Sequence, residues 1–270
     1  MDATVTYAVL GATGNCGTAL IQNLLEHAGA HINIYCRNKT KLIQNFPGIQ
    51  EDKRVAIFEG SIHDRALLTT CVRGCRAIFL CISTNDNIPN CNLSQASAVA
   101  IVQTLKDLGY NSTSATMEKA PKLLLLSSGT IEHAFSAHLP SVLHWILLRS
   151  ASHVYHDLVE AEKLLRAEES WLTTIYVKPG ALSVDKKRGY ELSLTEQHSP
   201  ISYLDLAAGM IELADETNGR WDFRNVSVNC TSDKAAFPNG TILCIVTGLL
   251  RHFFPWMHEY LPMGTGPKAK

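Results

Sequence analysis

Three glycines carry the first chemistry this chain can do. In Val5-Thr-Tyr-Ala-Val-Leu-Gly11-Ala-Thr13-Gly14-Asn15-Cys16-Gly17 a short apolar run breaks at Gly11, and Thr18-Ala-Leu-Ile-Gln-Asn-Leu-Leu-Glu then follows a helical pattern. Strand, glycine turn and helix in that order make a cradle for a dinucleotide diphosphate. Gly11 permits the sharp turn, Gly14 lets the backbone approach the anion, and Gly17 lets the helix pack closely on the sheet. Free N–H groups at the positive end of the helix dipole complete the cradle, so Thr13, Asn15 and Cys16 join the expected cofactor site. Arg37 stands twenty residues after Gly17, at the end of the next apolar run. An acidic residue there would grip the ribose 2′-hydroxyl of NAD, whereas a guanidinium suits the 2′-phosphate of NADP. Lys39 and Lys41 add positive charge on the same turn. One charge-assisted hydrogen bond is worth about 1.5–3 kcal/mol, or about ten- to a hundredfold in affinity. The expected cofactor is NADP(H).

These residues need a sheet to hold them. Near-continuous apolar runs at 31–36, 54–60, 76–82, 121–128 and 172–178 alternate with helical stretches at 39–46, 64–73, 93–108 and 152–168. Unbroken apolar strands are expected when both faces of a parallel sheet are covered. The alternation then demands right-handed crossovers. The expected fold is α/β, a doubly wound parallel sheet of the Rossmann kind. The loops that leave each strand fall at one edge of such a sheet. Ser61 and Ile62 would flank the adenine, and Cys81 and Ser83 would run beside the ribose and nicotinamide. Lys178 and Pro179 would offer backbone to the carboxamide. Ser128, ending the fifth run, can turn a hydroxyl toward the nicotinamide and a bound substrate.

Residues 1–180 are expected to form the cofactor-binding core. Residues 181–270 form a small C-terminal region covering the substrate cleft within the same structural unit, since the regular pattern thins out beyond Gly180. The amphipathic run 203–214 would help shape that pocket, together with Tyr155, Tyr203 and Trp145. The polar stretch 111–116 reads as a mobile surface loop. The aromatic stretch 249–262 has three readings: docking on its own core, a homodimer contact, or a membrane-surface patch.

The bulk composition excludes other classes. The 270 residues are 46% hydrophobic and 18% charged with formal net charge −1, so no basic surplus exists to displace counterions from a nucleic acid. No apolar run approaches the ~20 residues of a membrane span. The first strand follows Met1-Asp-Ala-Thr directly, so no secretory signal is expected. Eight cysteines lack a second pair at zinc spacing, so no metal site is expected and the thiols read as reduced, in a cytoplasmic protein.

The Gly11-x-x-Gly14-x-x-Gly17 spacing, the Tyr35-Cys-Arg37 strand end and Ala161-Glu-Lys-Leu-Leu-Arg with Thr174-Ile-Tyr-Val-Lys-Pro179-Gly180 resemble the atypical short-chain dehydrogenase/reductases. More narrowly, residues 4–215 resemble the NmrA-like NAD(P)-binding group. Gly14-Asn-Cys-Gly-Thr-Ala-Leu-Ile, Ser83-Thr-Asn-Asp-Asn and Leu249-Leu-Arg-His-Phe-Phe-Pro are similar to fungal averufin oxidase-like proteins, which act in aromatic polyketide pathways. The resemblance implies a Tyr-x-x-x-Lys pair on the helix before the sixth strand, with a Ser ending the fifth. Tyr155 falls in that place, but Val159 stands four residues later. Lys163 does not replace the lysine, because eight residues along a helix span about 12 Å against about 6 Å for four. His156, beside Tyr155, is then a candidate for the proton transfer, as are His153 and His133. Three functions stay open on this basis. One is an NADP(H)-dependent oxidoreductase acting on an aromatic small molecule such as a quinone, anthraquinone or xanthone. Another is a redox-neutral isomerase or ring-opening enzyme on the same scaffold, and the third is a dinucleotide-sensing regulator.

Overall fold

Strand β1 (Val5–Leu10) sends alternate side chains into two apolar cores, and that alternation organises the fold. Tyr7 and Val9 enter one core, Ala8 and Leu10 the other, as a period of two on a doubly covered sheet requires. The computed structural model describes residues 4–112, 119–232, 235, 237 and 240–266. After β1 come α1 (Asn15–Glu26), β2 (Ala30–Cys36), α2 (Lys39–Asn45), β3 (Val55–Glu59), α3 (Arg65–Val72), β4 (Ala77–Leu80) and α4 (Leu93–Asp107). They are followed by β5 (Lys122–Leu126), α5 (His133–Ser136), α6 (Ser141–Ser150), α7 (Ser152–Arg166) and β6 (Thr174–Val177). The chain ends with β7 (Leu182–Ser183), β8 (Tyr190–Ser193), β9 (Ile201–Ser202), α8 (Tyr203–Asp215), β10 (Asn225–Cys230) and α9 (Thr241–Phe253). Apart from Asn111 and Ser112, the polar stretch 111–116 lies outside the described residues.

One sheet runs in the order β3-β2-β1-β4-β5-β6-β10-β8, and β7 pairs with β9 apart from it. Every neighbour in the large sheet is parallel except β8, which runs antiparallel to β10. Helices α1 and α8 cover one face through Leu20, Leu206 and Met210, and α3, α4 and α7 cover the other through Leu68, Ile101 and Leu165. The strand order reverses between β1 and β4, which places the ligand crevice at their carboxyl ends. The doubly wound sheet expected from sequence is therefore present.

The sheet continues past Gly180, where the sequence pattern fades. Strand β10 reads Asn-Val-Ser-Val-Asn-Cys, and its polar half dilutes the apolar signal. Those polar groups are satisfied internally: the buried Ser227 hydroxyl donates to Asn229 Oδ1 at 2.7 Å, and that oxygen also accepts from the His198 amide at 2.8 Å. A hydrogen-bonded polar group can be buried in a strand at little cost.

The C-terminal segment docks on its own chain through backbone groups. Buried Arg251 donates to the Leu261 and Pro262 carbonyls at 3.3 and 2.8 Å. The Asp86 carboxylate accepts from the Gly264 and Thr265 amides at 2.7 and 3.3 Å. Phe253, Phe254, Trp256 and Tyr260 nonetheless stay exposed. No helix among the described residues is long and apolar enough to cross a membrane. Helix α9 crosses α6 at Gly248, where a Cβ would stand 1.9 Å from the Ser150 carbonyl oxygen. Gly248→Ala should therefore lower the unfolding free energy by about 1–3 kcal/mol through overpacking, read from urea denaturation; an unchanged midpoint would show that α9 is not seated there.

Candidate cofactor and substrate cleft

The end of β1 touches the end of β4 at the point of strand reversal. Gly11 adopts φ +89°, and a Cβ there would fall 2.5 Å from the Cys81 carbonyl oxygen. A Cβ on Gly17 would fall 2.4 Å from the Gly11 carbonyl oxygen. Gly14 is the cap residue of α1, with no side-chain cap and no acidic residue in the first turn. The positive helix end thus faces the crevice without a side chain of its own to satisfy it, an arrangement that fits a diphosphate. Gly14, Asn15, Cys16, Cys81 and Ser83 line this cleft, and Thr13 sits half-buried on the turn. The Cys16 thiol lies 3.8 Å from Met210 Sδ and 3.7 Å from Cys81 Sγ. That thiol contact, with burial, pushes the Cys81 thiol well up from its ordinary range. All eight cysteines are free.

The residues expected at the adenosine end leave the same sheet edge. Arg37 follows β2, exposed, and no carboxylate among the described residues forms an ion pair with it. Glu59, ending β3, accepts instead from the Lys39 amide at 2.8 Å. The Lys41 amide donates to the Asn38 cap at 2.8 Å, and the residue is exposed. The loop carrying Ser61 and Ile62 is tied to β2, since the Tyr35 hydroxyl donates to the Ser61 carbonyl at 2.8 Å.

From the glycine turn onward the cleft is one continuous cavity of about 370 Å³. Ser127, Ser128, Thr130, Tyr155, Leu158 and Tyr203 line it, together with Thr241, Cys244 and Ile245 of α9. Tyr155 is hydrogen-bonded to the Ser128 and Thr130 hydroxyls; burial raises its phenol pKa, and those bonds partly offset the rise. At neutral pH it is an uncharged phenol. Tyr203, buried at the start of α8, is likewise raised by burial and hydrogen-bonded to Asn15 and Asn85. Helix α7 is fixed against α4 by Asp157, whose carboxylate accepts from the Ser94 and Gln95 amides at 2.8 and 2.9 Å.

Several expected residues lie elsewhere. Tyr155, Leu158 and Glu162 share one face of α7, and His156, about 100° further round the helix, is exposed outside the cavity. His133 is exposed, and burial with the nearby His252 and His156 lowers the pKa of half-buried His153, which lies outside the cavity lining. Trp145 is 46% exposed and packs against Phe253 on the outer side of α6, so it does not line the cavity. Lys163 pairs with Glu160 at 2.5 Å on the outer face of α7.

Pro179 lines the cleft, but Lys178 does not. Its amide donates to the Val226 carbonyl and its carbonyl accepts from Gln197 Nε2, each at 2.8 Å. Its side chain turns away from the cleft into the protein, to Glu162 at 2.9 Å and Glu132 at 3.2 Å. Gly180, Ala181 and Leu182 follow Pro179 along the cleft wall. Thr130 and the α9 residues were not foreseen, because nothing local in sequence marks a helix 100 residues away as a cavity wall.

Known proteins match this geometry. Residues 11–217 match the family profile described as NAD(P)H-binding. The oxidoreductase claK of Passalora fulva is 63% identical over 270 residues, spanning 99% of this chain and 100% of the relative. The oxidoreductase aflX of Aspergillus parasiticus is 42% identical over 264 residues, 98% of each chain. Among solved structures, a short-chain dehydrogenase/reductase of Veillonella parvula in complex with NADP superimposes with TM-score 0.63 at 20% identity, covering 86% of this chain and 99% of that one. A sheet that reverses at a side-chain-free turn, and a match running nearly end to end, have one common explanation: the chain belongs to the NAD(P)H-binding family, among relatives named as oxidoreductases.

Proposed function

We propose that this chain is an NADP(H)-dependent oxidoreductase whose substrate is an aromatic polyketide-type molecule, a quinone, anthraquinone or xanthone, and that it works without a Tyr-x-x-x-Lys pair. The observation that carries the reading is Tyr155, hydrogen-bonded to Ser128 in an apolar-walled cavity that runs on from the glycine turn. When bound, the nicotinamide supplies the hydride chemistry. Ser128 and Tyr155 hold the substrate oxygen, and Tyr155, kept a neutral phenol by burial, donates a hydrogen bond to it. Leu147, Val154, Leu158 and Ile245 give the cavity an apolar wall that excludes water and suits an aromatic ring. A quinone carbonyl becomes a phenolate on reduction, already a stable anion, so it asks little of the acid. That chemistry is compatible with Val159 in the usual lysine position. Arg37, with Lys41 beside it, holds the 2′-phosphate.

The exposed apolar face of α6 and α9, with Val142, Ile242 and Val246, favours a second reading, a dinucleotide-sensing regulator with a protein partner. Purified protein mixed with NADPH and a panel of hydroxyanthraquinones and xanthones separates the two by absorbance at the nicotinamide band. Turnover should fall about 100-fold in Tyr155→Phe or Ser128→Ala, with NADPH affinity within about twofold of wild type. NADPH binding without turnover across the panel favours the regulator. Arg37→Glu should weaken NADPH by about ten- to a hundredfold and NADH little, measured by calorimetry; an equal loss for both would overturn the NADP preference.

A further inference from the structure

The Lys178 side chain is 3% exposed and takes no part in the glycine cradle or the Ser128–Tyr155 pair. It sits between two carboxylates from separate segments. Glu162 Oε2 of α7 stands 2.9 Å away, and Glu132 Oε2, from the loop after β5, stands 3.2 Å away. The other oxygen of Glu162 accepts the Ser127 hydroxyl at 2.5 Å, and Ser127 lines the substrate cavity beside Ser128. At the far end the Glu132 side chain is 24% exposed and borders a separate surface hollow of about 270 Å³. Asn225 Nδ2 donates to Glu132 at 2.6 Å there, and Arg166 donates to Asn225 Oδ1 at 2.7 Å. Tyr176 of β6, under the Arg166 guanidinium, also feels the Glu162 charge.

Ser127, Glu162, Lys178 and Glu132 thus make a polar path from the cavity to a second surface, every step within hydrogen-bond reach. Packing alone does not call for it, because a buried ion pair can often be replaced by apolar side chains without loss of stability. The path also places an ammonium behind the cavity of a chain whose Tyr155 lacks the following lysine.

We propose that Ser127, Glu162, Lys178 and Glu132 form a proton relay between the substrate oxygen and bulk water. The inference rests on the oxidoreductase reading above. In reduction, the Ser127 O–H bond breaks and its proton goes to the substrate oxyanion. Ser127 Oγ takes a proton from the Glu162 carboxyl, which has received it from the Lys178 ammonium. The Lys178 amine recovers a proton from water by way of Glu132, and in oxidation each transfer reverses. Only protons move along the path, so it needs no oxidant or reductant of its own. Ser127 touches the substrate; Glu162 and Lys178 are positioning residues that act through it.

Two measurements test this. With NADPH and 1,8-dihydroxyanthraquinone, Glu162→Gln keeps the shape but not the proton. It should lower kcat by about 100-fold, leave KM and NADPH affinity within about twofold, and flatten the pH profile of kcat. Lys178→Arg keeps the positive charge but cannot give up its proton, so it should lower kcat to a similar extent, and a wild-type rate there would also overturn the relay. Wild-type kcat and pH profile in Glu162→Gln would overturn the relay, as would a loss confined to KM or to stability. The second measurement uses cofactor-free protein labelled with 15N-lysine, in which NMR reads the exchange of the Lys178 ammonium hydrogens with water. Exchange should be rapid for so buried a group and at least about tenfold slower in Glu132→Gln. Slow exchange in the wild type would overturn the relay whatever the catalysis. If wild-type protein reduces no quinone, the functional reading fails and the exchange measurement alone decides the relay.

Discussion

Two carbonyl oxygens, those of Gly11 and Cys81, set the tightest limit on this fold. They come so near the α-carbons of Gly17 and Gly11 that a methyl group at either position would collide with backbone. Backbone cannot move aside as a long side chain can, so β1, α1 and β4 are locked together only because no side chain intervenes. The consequences run outward from that contact. Helix α1 is drawn against the sheet with its bare N-terminus at the strand reversal, and its second residue, Cys16, meets Cys81 and Met210. A dinucleotide's diphosphate therefore has a fixed seat, and the cavity must lie beyond it, toward the ends of β5 and β6.

The far wall of that cavity is built differently. Helices α6, α7 and α9 are joined by side chains that serve backbone groups of other segments. Asn87 donates to the Gly248 carbonyl at 3.0 Å and accepts from the His153 amide at 2.8 Å. Asp86 fastens the Gly264 amide to the loop after β4, and Arg251 fastens the Pro262 carbonyl to α9. Polar groups buried this way hold a single arrangement, because leaving any one unpaired costs about 1–3 kcal/mol. Helix α9 consequently presents apolar residues on two sides: Cys244 and Ile245 face the cavity, while Ile242, Leu243 and Val246 face solvent.

Much of the architecture was legible in the chain. The apolar runs, the helical stretches between them and the glycine spacing all report local geometry, since strand and helix periods are properties of consecutive residues. Ser128 and Tyr155 were also legible, each lying at a defined point of a recognisable element. His156 and Trp145 misled for a related reason. Proximity in sequence to Tyr155, or an aromatic character suited to a pocket, does not say which side of a helix faces inward. On α7 and α6 the burial of the opposite face decides it. Strand β10 was hidden because its paired Ser227 and Asn229 masked the apolar pattern.

By itself the sequence determined the wound sheet, the side-chain-free glycine turn and the position of Arg37 directly after β2, because each depends on a few adjacent residues and their allowed backbone angles. Tertiary structure alone decided that Lys178 turns from the cleft to sit between Glu132 and Glu162, that α9 walls the cavity, and that Trp145 faces out. Those outcomes depend on charges and surfaces meeting from segments tens of residues apart, where burial forces a lysine to find its carboxylates. No spacing along a chain encodes such a meeting.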